Sequence, residues 1–309
     1  MAREINAGIY LHPWDVIDES SDQVFSRIKE IGIGHVNLAT SYHCGRYLLP
    51  HNPKRRIYFA EEGVTYFTPD PKFFEETVLK PKKSSQFSDV DVVDLVTREA
   101  RKYGLGVNSW TVTLHNSRLA KMHPEAAVVN AFGDIDYNFL CGNNPDSRKF
   151  AIGLVRNLAE KYSLDAIQLE SAGYIWGLEH GDHHEMFGTQ VEPFTSDLLS
   201  TCFCRNCIAK MEEEGIQPET AREIVRSIAD LSINTPTDVL HKVPLEETLR
   251  NSYVLATDIE ELHELLRFKR AAVNSLFKDA KETLKACNSN VKLRIITAGG
   301  FSGGGSGVM

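Results

Sequence analysis

The chain has 309 residues, 42% of them hydrophobic and 25% charged, the balance of a globular protein long enough for a large core. A net charge of -8, with basic runs limited to Lys54-Arg55-Arg56 and Lys80-Pro81-Lys82-Lys83, argues against nucleic acid or an anionic membrane as the main partner. No apolar run approaches the ~20 residues that span a bilayer, and Met1 to Asn6 lack the apolar stretch of a signal peptide; the six cysteines then read as thiols of a reducing compartment, and the expected location is cytoplasmic.

Along the chain, short apolar strands alternate with amphipathic helices. Ile5 to Pro13 reads as a buried strand, and Asp22 to Ile31 as a helix with Val24, Phe25, Ile28 and Ile31 on one face, ended by Gly32. His35 to Thr40 is a second strand, with a further strand candidate at Gly63 to Phe67. A helix over Val90 to Tyr103 closes at Gly104 and leads into a third strand, Leu105 to Val112. Asp146 to Tyr162 predicts a helix, Asp165 to Glu170 a fourth strand, and Ile208 to Glu214 a short helix. A long helical stretch from Asp258 to Ala286 precedes a fifth strand, Val291 to Thr297.

Strand then helix, repeated, implies a parallel sheet with right-handed crossovers. The loops after the strands are long and rich in His, Tyr, Trp, Asn and Asp (Ser41 to Pro53, Thr113 to Pro145, Ser171 to Thr201), whereas the turns before them are short. That asymmetry belongs to an α/β fold of the (β/α)₈ TIM-barrel type. A doubly wound sheet shares it, but no glycine-rich phosphate loop follows the first strand. Five strands fall short of a full barrel. The expectation is therefore one barrel-like domain over residues 1–298, complete or truncated at its C-terminal end, and a flexible Gly/Ser-rich tail over 299–309. A sheet short of strands leaves an edge that a second subunit of a homo-oligomer would cover.

The densest chemical signal is Cys202-Phe203-Cys204-Arg205-Asn206-Cys207. Thiols at this spacing do not bridge one another readily, but a tight loop can aim all three at one ion, and Zn²⁺ prefers four tetrahedral ligands with thiolate among them. Cys141, just before the helix at Asp146, is the first choice for the fourth ligand; Cys44, His183 and His184 are the competitors. Four cysteines would close the metal site and make it structural. Cys287, at the far end of a helix, reads as an ordinary thiol.

Glu170 ends a buried parallel strand, where a carboxylate is costly unless it is paired or used, and where burial raises its pKa toward the range of a general acid. The other strand ends carry Tyr10, His12 and Trp14, then Tyr42 and His43, then Trp110, Thr113 and His115. Aromatic faces beside hydrogen-bonding groups suit a sugar, so His12, Trp14, Tyr42, His43, Trp110 and His115 are candidate carbohydrate contacts. Downstream, Tyr174, Trp176, Glu179, His180, Asp182, His183, His184 and Glu185 crowd one loop. It reads either as a ligand wall, with Tyr174, His183 and His184 facing substrate, or as the site of a metal-dependent hydrolase using His180 to Glu185. The alternative to an enzyme is a non-catalytic carbohydrate-binding or assembly protein on the same scaffold.

Cys141-Gly-Asn-Asn-Pro-Asp-Ser-Arg148, the helix Leu154 to Tyr162, Leu169-Glu170 and the Cys202-x-Cys204-x-x-Cys207 run together resemble the zinc-containing β-galactosidases of glycoside hydrolase family 42. The pattern is still more similar to glycosyl-hydrolase-like TIM-barrel proteins of that layout, over roughly Ile5 to Gly215. The resemblance implies a (β/α)₈ barrel, a structural zinc on Cys141, Cys202, Cys204 and Cys207, and Glu170 as the acid/base of a glycosidase. In that family an Asn precedes the Glu; here Leu169 does. A retaining glycosidase also needs a second carboxylate about 5 Å from the first, which the family takes from a seventh strand; Asp134 and Asp136 are the local substitutes.

Overall fold

The computed structural model describes residues 7–173, 193–234, 258–287 and 290–296. Its first half contains β1 (Gly8–Leu11), α1 (Pro13–Ile17), α2 (Ser21–Glu30), β2 (His35–Tyr42), β3 (Gly45–Leu48), β4 (Ile57–Ala60), β5 (Val64–Thr65), α3 (Val92–Lys102) and β6 (Gly106–Val112). The second half contains α4 (Ser117–Met122), β7 (Ala127–Val129), β8 (Ile135–Leu140), α5 (Pro145–Lys161), β9 (Ala166–Glu170), α6 (Pro193–Leu199), α7 (Arg205–Glu213), α8 (Pro218–Asn234), α9 (Glu260–Ala286) and β10 (Lys292–Ile295).

All five expected strands enter one parallel sheet in the order β1-β2-β6-β9-β10. The first is shorter than expected because Pro13, which has no N–H to give a ladder, opens α1. The Gly63 to Phe67 candidate becomes β5, which pairs antiparallel with the end of β2 and adds no barrel strand. Among the described residues no closed barrel forms: β1 pairs only with β2, and β10 only with β9. Ile5, Asn6, Thr297 and the tail lie outside the described residues.

The pleat gives the sheet two unlike faces. Ile9, Leu11, Val36, Leu38, Val107, Ile167 and Leu169 point to the helices and join Phe25, Ile28, Val93, Val96, Leu154 and Leu158 in the main core. The opposite face carries Tyr10, Asn37, Asn108, Trp110, Gln168 and Glu170, which register places side by side. Its buried amides satisfy one another: Tyr10 donates to Gln168 Oε1 (3.2 Å), and Gln168 Nε2 and Asn108 Nδ2 both donate to Asn37 Oδ1 (2.7 and 2.8 Å). A closed barrel fills this face with bulky branched side chains; here it is polar, and Tyr10 is 50% exposed.

Helix boundaries follow local chemistry. Asp91 caps α3 through the Asp94 amide, and Gly104, at φ 68°, follows its end. Asn144 caps α5 by accepting from the Asp146 and Ser147 amides, with Pro145 at the first helical position. Two antiparallel hairpins, β3–β4 and β7–β8, grow from the loops after the second and third parallel strands. The tip of β3–β4 is tied down by the buried Asp18, which accepts from Asn52 Nδ2 (3.0 Å) and pairs with Arg55 (3.0 Å). A second core gathers Val128, Phe139, Phe194, Leu198, Phe203, Met211, Val225, Leu262, Leu265 and Phe268, and the four cysteines Cys141, Cys202, Cys204 and Cys207 lie within it. The long α9 serves both cores, with Leu276, Ala280 and Leu284 in the first.

Candidate functional site

The sequence-predicted aromatic residues converge at the C-terminal ends of β1, β2 and β6. His12 stacks on Trp14 (centroids 4.3 Å, planes 9° apart) and meets Tyr42 edge-on at 4.9 Å and Trp110 at 5.1 Å. Tyr42 continues to His43 (4.2 Å), and His43 stacks on His115 (4.1 Å). Trp14, Tyr42, His43 and His115 are buried, so His12, Trp110 and the half-exposed Tyr10 form the more open part of the cluster. Burial without a counter-ion pulls the His12 ring down to about 4, so it is neutral at pH 7. Nδ1 of His12 and Nε1 of Trp14 are buried with no hydrogen-bond partner. Tyr174, His183 and His184, together with the rest of the His180 to Glu185 loop, lie outside the described residues.

Glu170 ends β9 on the polar face of the sheet. Its Oε2 accepts a short hydrogen bond from Trp110 Nε1, which register sets two residues away across the ladder. Burial raises the carboxyl above the ordinary range, and the indole N–H opposes that rise by favouring the carboxylate. The carbonyls of Glu170 and Ser171 are held by Thr113 and Leu114 amides at 3.0 Å each, and Ser171 adopts a left-handed φ of 51°. A non-glycine residue in that region costs free energy and persists only where its surroundings fix it.

Sequence reasoning missed Tyr47 and Asp15. Tyr47, on β3, packs on His12 and Trp14 (5.0 Å each), and burial pushes it up to about 12 with Glu170 and Asp15 both contributing. The run Gly45-Arg46-Tyr47-Leu48-Leu49 has no apolar/polar alternation that would mark Tyr47 as inward-facing. Asp15, in the first turn of α1, accepts the His12 amide at 2.8 Å, and burial pushes its carboxyl up to about 6. Of the two substitutes, Asp134 belongs to the β7–β8 turn, where it accepts from Asn130 Nδ2 (3.1 Å); Asp136 is raised by burial. Among the described residues, the Glu170 side chain bonds to Trp110 and to no other carboxyl.

The second chemical cluster is the cysteine set. Cys141, Cys202, Cys204 and Cys207 are all buried, with their Sγ atoms within 4.8 Å of one another. Cys141 lies 3.4 Å from Cys207 and 3.6 Å from Cys204, too far for a disulfide and near the ~3.8 Å that four sulfurs at about 2.3 Å from one tetrahedral ion would show. Amide donors already point at the sulfurs: Val129 and Cys204 N–H to Cys202, and Asn143 N–H to Cys141, at 3.4–3.5 Å. Such donors favour thiolate. The neighbouring thiols hold Cys204 well below the ordinary thiol range and drive Cys141 above it, while burial first and neighbouring thiols second raise Cys202. The donor set thus fits a metal ion. Cys44 is elsewhere, beside His43, and Cys287 lies near Glu160.

No family model matches this sequence, and no curated protein matches it. The fold does match solved structures. One is alpha-L-fucosidase isoenzyme 2 from Paenibacillus thiaminolyticus, with TM-score 0.54 and 12% identity, over 95% of this chain and 33% of that one. Another is a beta-galactosidase from the psychrophilic Marinomonas ef1, with TM-score 0.50 and 13% identity, over 94% and 37% respectively. This chain spans about a third of the length of each. Both neighbours are glycoside hydrolases, and at this identity the likeness shows the fold alone: an α/β architecture with a parallel sheet, consistent with a TIM-barrel-like fold. No helix among the described residues is long and apolar enough to cross a membrane.

Proposed function

We propose that this chain is a glycoside hydrolase acting on a carbohydrate, with Glu170 as general acid/base. The observation that carries the proposal is a raised, half-buried carboxyl at the C-terminal end of a parallel strand, bonded to an indole N–H inside an aromatic cluster. Burial lets this carboxyl hold its proton to higher pH than an ordinary glutamate, so that it can give the proton to a glycosidic oxygen, and Trp110 Nε1 is already aimed at the carboxylate that results. His12 and Trp110, with Trp14, Tyr42, His43 and His115 beside and behind them, would receive the sugar ring, and Tyr174, His183 and His184 are further candidate sugar contacts. Asp134 and Asp136 remain the candidates for the second carboxylate, and Asp15 joins them because it and Glu170 both act on Tyr47.

Cys141, Cys202, Cys204 and Cys207 would hold a structural Zn²⁺. With all four protein ligands supplied, the ion would have no open position and would serve to staple the β7–β8 hairpin, the start of α5 and the α6–α7 connection. A reducing compartment such as the cytoplasm would keep the thiols reduced and available to the metal. A homo-oligomer covering the β1 or β10 edge is the expected assembly, which light scattering on the purified protein would test.

A second possibility is carbohydrate binding without turnover, favoured by Leu169 standing where the resembled family has an Asn before its Glu. Initial rates on a panel of 4-nitrophenyl glycosides separate the two. Glu170→Gln should lower turnover by roughly 10²–10⁴. An unchanged rate removes Glu170 from the chemistry, and saturable binding with no turnover by the unaltered protein supports the second possibility. Metal analysis that finds no zinc, with four reactive thiols, removes the zinc assignment.

A further inference from the structure

The cysteine cluster and Glu170 belong to different cores, yet one helix touches the supports of both. Lys269, on α9, is only 8% exposed, and its ammonium donates to Asp197 Oδ1 at 2.9 Å, to the Asp197 carbonyl at 3.4 Å and to the Thr201 hydroxyl at 3.3 Å. Asp197 and Thr201 are themselves buried. The charge therefore sits on the last carbonyls of α6, where a cation complements the helix end. The clamped residue, Thr201, directly precedes Cys202 in the chain, and Cys202 and Phe203 are in turn bonded to Val129 of the β7–β8 hairpin.

One turn further along α9 is Val273. A Cβ built on Gly173 would lie 2.3 Å from Val273 Cγ2, so the backbone three residues after Glu170 rests directly against this valine. Lys269 and Val273 are four apart in sequence and so share one face of the helix. The turn that Val273 reaches contains Ser171 in its left-handed conformation, the kind of backbone that holds only while its neighbours hold it.

We infer that Lys269 and Val273 are positioning residues through which α9 ties the geometry of the Glu170 turn to the folding of the cysteine site, so that metal occupancy sets both. The inference rests on the cysteines holding a metal, as proposed above. Metal release opens a site whose fold depends on it. The end of α6 then loosens, the buried Lys269 ammonium loses its partners, and α9 no longer presses Val273 onto Gly173. The two-state element required for coupling is the cysteine loop, closed with metal and open without it.

Hydrogen exchange on the full chain, read by mass spectrometry with zinc bound and after chelation, tests this, with metal content measured in parallel. In the unaltered protein, chelation should speed exchange roughly tenfold both in peptides covering Ser200 to Cys207 and in those covering Ser171 to Gly173. Val273→Ala should keep its zinc and the response at Ser200 to Cys207 while losing the response at Ser171 to Gly173. Lys269→Met should bind zinc more weakly and exchange faster at Ser171 to Gly173 even when loaded, and Lys269→Arg should restore both. Should Lys269→Met fail to fold, Val273→Ala, which retains the ion pair, carries the test alone. A Ser171 to Gly173 segment indifferent to chelation, or a Val273→Ala protein with the coupling intact, overturns the inference while leaving the metal site standing. A protein that takes up no zinc on reconstitution overturns both.

Discussion

Trp110→Phe keeps a ring against Tyr10, His12 and Tyr42 but deletes the N–H that donates to Glu170. Burial raises the Glu170 pKa, and this hydrogen bond works against the rise. A hydrogen bond to a charged group contributes about 1.5–3 kcal/mol. Without it, the variant carboxyl should titrate higher still. An acid whose folded pKa exceeds its unfolded value, here 4.5, binds its proton more tightly when folded. Its stabilising effect is complete below the unfolded value and is lost as pH rises through the folded one. Trp110→Phe extends that loss upward, so urea unfolding should show about 1.5–3 kcal/mol more destabilisation at pH 8 than at pH 4. Repeating the comparison in a Glu170→Gln background cancels the contribution of His12, which titrates over the same range, and there the pH dependence of the Trp110 effect should vanish. Equal destabilisation at both pH values with Glu170 present would refute the claim that the indole holds this carboxylate.

Three further outcomes are expected. His12 is held near 4 against an ordinary 6.5; a depressed base costs stability as pH falls through that window, so about 3 kcal/mol should be lost between pH 7 and pH 4, and His12→Gln should flatten this limb of the stability curve. Cys207→Ser removes one of four clustered thiols; its zinc content should fall well below one per chain, with loss of helical signal from the α6–α8 region, and an unchanged zinc content would exclude Cys207 as a ligand. Gly153→Ala, a change that favours a helix interior by about 1 kcal/mol, should instead destabilise by about 1–3 kcal/mol, because its Cβ would fall 2.7 Å from the Phe73 carbonyl oxygen and Phe74 ring. A raised Tm would contradict that close approach.

The parts legible in the sequence were those with strong local periodicity or chemistry. The five parallel strands are short apolar runs flanked by turn residues, and each enters the sheet. Cys141 was separable from Cys44 only by its position before α5, and the structure brings Cys141, and not Cys44, to the other three thiols. Three kinds of feature were hidden. The hairpins β3–β4 and β7–β8 are four and three to six residues per strand, too short to register against a loop background. Tyr47 and Asp15 belong to the site through contacts with His12 that only the folded chain creates. The amides Asn37, Asn108 and Gln168 sit singly inside apolar strands, and their mutual bonding depends on register between strands roughly 60 to 130 residues apart.

The most direct test of the account is a crystal structure of the Glu170→Gln protein with the aryl glycoside that the unaltered protein turns over or binds best. The account predicts the sugar ring on Trp110 and His12, with the glycosidic oxygen about 3 Å from the residue-170 side chain. A sugar seated away from the strand ends, with that side chain still bonded only to Trp110, would contradict it.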